Sequence, residues 1–219
     1  MDLTSFDSIR EAVKIFRQQS QRLDILLLNA GIKSVPEGLT KDGYEIQFGT
    51  NHMGHALLSK FLLPTMLKTA EQRGSDVRVV VLASSAHQYA PKDQGIMFDT
   101  LKTKAQEIST ITRYGQSKLA NIFFAQQFAR LYSQITVPVL NPGLVNTNLA
   151  NTMSDNSFIM RIAWMVAAAF IGVDVKIGAL NQLWASTAGN VKSGEYYEPV
   201  GRAGLGKRWT NGPDLAQKL

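Results

Sequence analysis

The sequence predicts an α/β fold, a doubly wound parallel sheet in one unit spanning residues 1–219. Two observations predict it. Short apolar runs alternate with amphipathic segments of helical length, which is how a parallel sheet with helices on both faces is written. Each run also ends in a polar or glycine-rich turn (LNAG, LASS, LNPG), at the strand ends where such sheets bind ligands.

The elements follow in order. SFDSIREAVKIFRQQSQ reads as an amphipathic helix with Ile9, Val13 and Phe16 on one face and Ser5 or Asp7 as its cap. LDILLLNAG is a short apolar run closed by glycine, which favours a buried strand over a helix. A loop with Pro36 and Gly38 leads into TKDGYEIQFGTNHMGHALLSKFLLPTMLK, a long helix that Gly49, Gly54 and Pro64 weaken or kink. VRVVVLASSAH is a second buried strand, and YGQSKLANIFFAQQFARLY the helix after it. ITVPVLNPG is a third strand, with Pro138 awkward inside it. KIGALNQLWAS is a further helix and GEYYEPVG a short closing strand. No internal repeat or low-complexity segment interrupts the pattern.

Composition narrows the function. At 219 residues and 45% hydrophobic, the chain can bury a substantial core. It has no cysteine, which excludes disulfides, thiolate chemistry and cysteine metal sites. His52, His55 and His87 form no metal motif, and partly exposed polar histidines are expected at all three. The net charge of +6 suits an anionic partner, but no nucleic-acid motif or block of like charge is present, so no nucleic acid is expected. The N-terminus has no apolar run of signal-peptide kind. The most apolar stretch, Phe158 to Val175, contains Arg161 and falls short of the ~20 residues a spanning helix needs. It reads as a buried or pocket-lining helix, with a peripheral membrane contact as the alternative.

Tyr114 and Lys118 stand four apart on a helix and share a face. An ammonium beside a phenol favours the phenolate, and so equips the tyrosine as a general acid or base. Alone the pair is weak evidence. Its setting is stronger: LLLNAG and TNHMGHALL lie upstream, then VVVLASSAH, and NPGLVNT lies downstream.

In that order and spacing the chain resembles the short-chain dehydrogenases/reductases, in their retinol-dehydrogenase-like and fungal branch. The resemblance runs from about Asp2 to Gly201 and implies a Rossmann-type sheet binding NADP, or NAD. LLLNAG departs from the family's Asn-Asn-Ala-Gly in having Leu28 as its first residue. By resemblance, Tyr114 exchanges a proton with the substrate oxygen, and Lys118 tunes it and binds the nicotinamide ribose. Ser84 holds the substrate carbonyl, chosen over Ser85 because His87 fixes the Ser-x-Ala-His frame and because alternate strand residues face opposite ways. Asn51 holds a water in a proton relay through a distorted helix turn. Asp2 and Leu3 flank the adenine, and Asn29, Ala30 and Gly31 lie beside the adenosine ribose. Pro142, Gly143, Val145 and Thr147 close over the nicotinamide. No metal is implied. The implied partner is a small apolar carbonyl or alcohol substrate, held under a lid formed by 150–180. A homodimer through the Tyr-Lys helix and the long helix before it is also implied, although Ile122, Phe123 and Phe124 read rather as core. The expected location is cytoplasmic, with an intracellular membrane surface as the alternative.

The family's Thr-Gly-x-x-x-Gly-x-Gly turn is not in this sequence. That reads as an N-terminally truncated domain lacking roughly 60 residues, two βα units. It would expose an apolar strand at the sheet edge and remove pyrophosphate contacts. Two further readings therefore stand beside the oxidoreductase: a catalytically incompetent family member, and a lipid- or membrane-surface-binding protein.

Overall fold

The computed structural model describes residues 1–145, 173–204 and 213–219. The described strands form one five-stranded sheet in sequential order. β1 (Ile25–Leu28), β2 (Arg78–Leu82), β3 (Val139–Leu140) and β4 (Tyr196–Glu198) run parallel, and β5 (Arg202–Ala203) returns antiparallel to β4. β5 has no counterpart in the sequence reading.

β2 sets the layers. All five of its residues are buried. Its side chains alternate between faces, as the pleat requires. Val79 and Val81 join one apolar cluster with Ile9, Val13, Leu58, Met66 and Ile122. Val80 and Leu82 join another with Leu140, Ala185 and Tyr197. Helices α1 (Phe6–Gln19), α3 (Gly54–Ala70) and α4 (Thr110–Leu131) supply the first cluster, and α6 (Leu180–Thr187), which follows the short α5 (Val175–Gly178), supplies the second. The sheet is therefore covered on both faces, as expected. At the base of β2 the buried Arg78 donates Nη1 to the carbonyls of Ala185 and Ala188, both at 2.9 Å, placing a cation at the C-terminus of α6.

Several local expectations change. Ser5 caps α1 by accepting from the Ser8 N–H. The long helix expected from Thr40 is divided: a turn bridges Leu39 and Glu45, a single turn α2 (Ile46–Phe48) follows, a π-helical turn spans Gly49–Met53, and only then α3 begins. Pro64 sits inside α3 without ending it. α4 begins four residues before Tyr114, capped by Ser109. Pro138 precedes the two-residue β3; its carbonyl accepts from Val81 N–H at 3.0 Å, and the ladder bond that an N–H at 138 would have given β2 is not made. β1 is an edge among the described residues, with Ile25 and Leu27 exposed at 42% and 45%. A last helix, α7 (Pro213–Lys218), packs its Ala216 beside Leu119 and Phe123 of α4.

The histidines are the clearest correction. His52, His55 and His87 are 2%, 5% and 1% exposed, not partly solvated. His52 Nδ1 bonds Asn121 Oδ1 at 3.2 Å, and since Asn121 uses its NH2 on Leu82 O, the histidine must be the donor. His55 Nδ1 donates to Asn51 O at 3.0 Å, and His87 Nδ1 to Ser84 O at 2.7 Å. Burial holds His52 and His55 neutral, lowering each pKa to about 4.

Two outcomes follow from this packing. The unfolded chain takes up protons on His52 and His55 below about pH 6.5, while the folded chain resists until about pH 4. Stability is thus fully present above pH 6.5 and is lost as pH falls, by on the order of several kcal/mol between the two sites. Urea midpoints should fall steadily from pH 7 to pH 4.5, and His52→Gln with His55→Gln should flatten that slope. Second, a Cβ on Gly115 would lie 2.8 Å from Ala86 O and from Ala90 N. These are backbone atoms and cannot yield, so Gly115→Ala should cost about 1–3 kcal/mol. Gly189→Ala, with nothing within 4 Å, should leave the midpoint unmoved.

Candidate active site

The site lies at the carboxyl ends of β1, β2 and β3, with α4 crossing beneath it. The 3-10 turn Ser85–Tyr89 presses directly against Gly115, so the end of β2 and the Tyr114 turn of α4 are fixed to one another.

Tyr114 is 8% exposed. Burial pushes its pKa up to about 12, and the Ser84 hydroxyl, in hydrogen-bonding reach of the phenol, opposes this. Ser84 has extended backbone (φ −169°) and caps the 3-10 turn by accepting from Ala86 N–H at 3.2 Å. Ser85 is exposed and lies in the turn itself. Ser84 is the serine within reach of Tyr114, and strand alternation does not separate it from Ser85, because the strand has already ended at Leu82.

Lys118 is 5% exposed and donates Nζ to Leu82 O at 3.2 Å. Burial lowers its pKa to about 8. Its Nζ stands 5.7 Å from the Tyr114 ring centroid. The expected depression of the tyrosine by the lysine is therefore not what this geometry gives. Desolvation dominates at both groups and disfavours the charged form of each. Asn121, one turn beyond Lys118, donates Nδ2 to the same Leu82 carbonyl at 3.0 Å.

Asn51 is fully buried at the centre of the π-helical turn. Its Oδ1 accepts from Ile32 N–H at 2.8 Å, and its Nδ2 donates to Ile32 O at 2.9 Å and to Ser117 Oγ at 3.0 Å. Ser117 in turn donates to Tyr114 O at 2.7 Å. Asn51 thereby joins the loop after β1 to the Tyr114–Lys118 turn. Gly31 lies inside this junction: a Cβ there would come 2.9 Å from Asn51 Oδ1 and 3.6 Å from Lys118 Nζ.

The remaining expected residues are spread over the same edge of the sheet. Asn29 and Ala30 are exposed directly after β1. Pro142 and Val145 are half-buried, and Gly143 is exposed at φ 78° in the turn after β3. Asn141 holds that turn, donating Nδ2 to Glu198 Oε2 at 2.6 Å and accepting from Gly143 N–H at 3.2 Å. Asp2 is exposed, tied to Thr4 and to Lys41 Nζ at 3.2 Å, and the buried Leu3 packs on Gly54. Thr147 and most of the apolar stretch from Phe158 lie outside the described residues. Ile122 and Phe123 are core residues of α4, and Phe124 packs half-buried against His52 and Phe128. Among the described residues no group of three or more acidic or histidine side chains could hold a metal ion, and no helix is long and apolar enough to cross a membrane.

Sequence reasoning did not single out Ser117 and Asn121. Their spacing could have: each lies three residues beyond Tyr114 or Lys118 on the same helix. Lys33, whose Nζ is also 5.7 Å from the Tyr114 centroid, carried no local signal.

The family model described as short chain dehydrogenase matches residues 1–97. A short-chain dehydrogenase/reductase of Armillaria gallica is 33% identical over 225 residues, covering 100% of this chain and 69% of its own length. Human retinol dehydrogenase 14 is 35% identical over 201 residues, covering 90% of this chain but 56% of its own length, so the chain spans little more than half of that relative. The crystal structure of a Pseudomonas 3-alpha-hydroxysteroid dehydrogenase complexed with NADH superposes with a TM-score of 0.70 at 19% identity, over 92% of this chain and 81% of that one, a likeness of fold. A Rossmann-type sheet, a tyrosine and lysine one helical turn apart at its carboxyl edge, and relatives matched along the whole chain lead to one conclusion: the chain belongs to the short-chain dehydrogenase/reductase family.

Proposed function

We propose that this chain supports nicotinamide-dependent carbonyl reduction, with Tyr114 as the proton donor to the substrate oxygen. The observation that carries the proposal is the buried Tyr114 phenol, with Ser84 in reach and Lys118 one turn along the same helix. With its pKa raised to about 12, Tyr114 is protonated near neutrality, the form that a reductase needs. Ser84 would orient the carbonyl oxygen towards the phenol. Lys118, Asn51 and Ser117 would hold that turn of α4 in place.

A nicotinamide dinucleotide fits the open edge of the sheet. Glycine at 31 lets the loop after β1 close on Asn51, whose Oδ1 would lie 2.9 Å from a Cβ there, and Asn29, Ala30 and Gly143 are exposed at the same end of the sheet. In this reading Asp2, Leu3, Asn29, Ala30 and Gly31 bind the adenosine side, while Lys118, Pro142, Gly143, Val145 and Thr147 bind the nicotinamide side. When bound, the cofactor supplies the hydride. The net charge of +6 favours the more anionic NADP(H) over NAD(H). The substrate we propose has an apolar body, in keeping with the residues from Phe158 onward in the sequence.

Calorimetric titration of NADPH, then NADH, into the folded chain tests the cofactor directly, and the expected result is saturable binding. Tyr114→Phe should keep that binding and lose about 100-fold or more of carbonyl turnover. Loss of binding together with turnover would make Tyr114 a structural residue. The pH dependence gives an independent check. Alcohol oxidation needs the phenolate, so its rate should climb from pH 6 to pH 8, while reduction, which needs the phenol, should not.

A further inference from the structure

Two side chains of α4 converge on one backbone oxygen at the end of β2. Pairing of β1 with β2 stops at Leu28 and Val81. The next carbonyl of β2, that of Leu82, accepts from Lys118 Nζ at 3.2 Å and from Asn121 Nδ2 at 3.0 Å. A carbonyl oxygen has two lone pairs, close to the plane of its C=O group. With Asn121 on one of them, the Lys118 ammonium is confined to the other. The Leu82 oxygen can only accept, so the Asn121 amide must turn its nitrogen to it and its oxygen to His52. The His52 Nδ1–H locks that orientation by donating to Asn121 Oδ1 at 3.2 Å. Without this donor the buried Oδ1 would stand unsatisfied and the orientation would lose its support. The imidazole is itself held by packing: it is 2% exposed, and the rings of Phe48 and Phe124 meet it in T-shaped contacts at 5.1 and 6.0 Å between centroids. His55, the other buried imidazole of this segment, is committed to Asn51 O.

We infer that Asn121, locked by His52, is a positioning residue for Lys118: by taking one lone pair of the Leu82 carbonyl it fixes the side on which the ammonium stands, and so holds the cation where the bound cofactor meets it. The cofactor part of the inference rests on the reading of Lys118 as a nicotinamide-side residue. Lys118 needs such a device. Its ammonium ends a flexible four-carbon stem, and a bond to one carbonyl engages one of its three N–H groups. With an apolar residue at 121 both lone pairs of Leu82 would be open to the ammonium, which would then settle differently on the oxygen. Asn121 stands seven positions beyond Tyr114 on α4, so the lock acts on the lysine from the side away from the phenol.

The ammonium itself reports on this. At pH 6, below the pKa of about 8 that burial gives it, Lys118 is charged. A proton–nitrogen NMR spectrum of the full chain should show one slowly exchanging lysine ammonium signal, assigned by its loss in Lys118→Met. Asn121→Leu and His52→Leu should shift or broaden that signal, and His52→Gln, whose amide can still donate to Asn121, should restore it. Circular dichroism first establishes that every variant is folded, and Asn121→Ala replaces Asn121→Leu if the latter is not. NADPH is then titrated by calorimetry into the same chains. Asn121→Leu should bind it about tenfold more weakly than the wild type. In the Lys118→Met background the same substitution should change the affinity by less than about twofold, because a positioning residue has no effect once the group it positions is gone. The inference is overturned by absence of the ammonium signal in the wild type, by a signal that Asn121→Leu leaves unmoved or His52→Gln fails to restore, or by an affinity that Asn121→Leu leaves unchanged or lowers equally with and without Lys118. A signal that depends on Asn121 and His52 in a chain that binds no NADPH leaves the positioning of Lys118 standing and removes the nicotinamide reading. NADPH binding and carbonyl turnover with a signal indifferent to Asn121 do the reverse.

Discussion

The amide of Asn51 is the joint on which the site depends. A buried side-chain amide must find partners for its donors and its acceptor, and here the partners lie on two other segments. Oδ1 and Nδ2 grip Ile32 in the loop after β1, and Nδ2 also reaches Ser117 on α4. An aspartate would lose the donor, and an alanine would leave the Ile32 backbone unpaired beneath the site. The π-helical turn gives this part of the chain a local geometry that a regular helix would not, and such turns recur at functional positions.

Burial of charge is the second organising constraint. Arg113 and Glu45 are 1% and 0% exposed and meet at 3.3 Å, immediately before Tyr114. Burial pushes the Glu45 carboxyl up, while N–H groups of the following turn and Arg113 pull it back. Glu45 Oε2 also accepts from Phe48 N–H at 2.7 Å and so starts the turn that leads to Asn51. A pair of this kind adds little net stability but is costly to break, which ties the start of α4 to the segment carrying Asn51. The same desolvation raises Tyr114 and lowers Lys118, so this region holds its titratable groups nearer to neutrality than their sequence context implies.

Much of this was legible in the sequence. The strands were found because each apolar run is short and ends in asparagine, serine or glycine, and the tyrosine and lysine because their spacing places them on one helical face. The division of the segment from Thr40 was not legible, because Gly49 and Gly54 lower helix propensity without saying where the register shifts. Gly54 is needed for tertiary packing instead: a Cβ there would meet Leu3 O at 2.7 Å. The histidines were misread because nothing local to His52 shows that Phe124, on another helix, closes on its ring. The lysine's effect on the tyrosine was misjudged for the same reason, since burial is a property of the assembled layers.

The complete burial of β2 bears on how the molecule fluctuates. This strand is hydrogen-bonded on both sides and covered on both faces, so its amides should be among the last to exchange with deuterium. Ser84 hangs from its end, and the carbonyl of its last residue, Leu82, anchors both Lys118 and Asn121. Ser84 and Lys118 are thereby tied to a strand expected to open late. Ile25 and Leu27 of β1, by contrast, face solvent, so the amides of that strand should exchange earlier than those of β2.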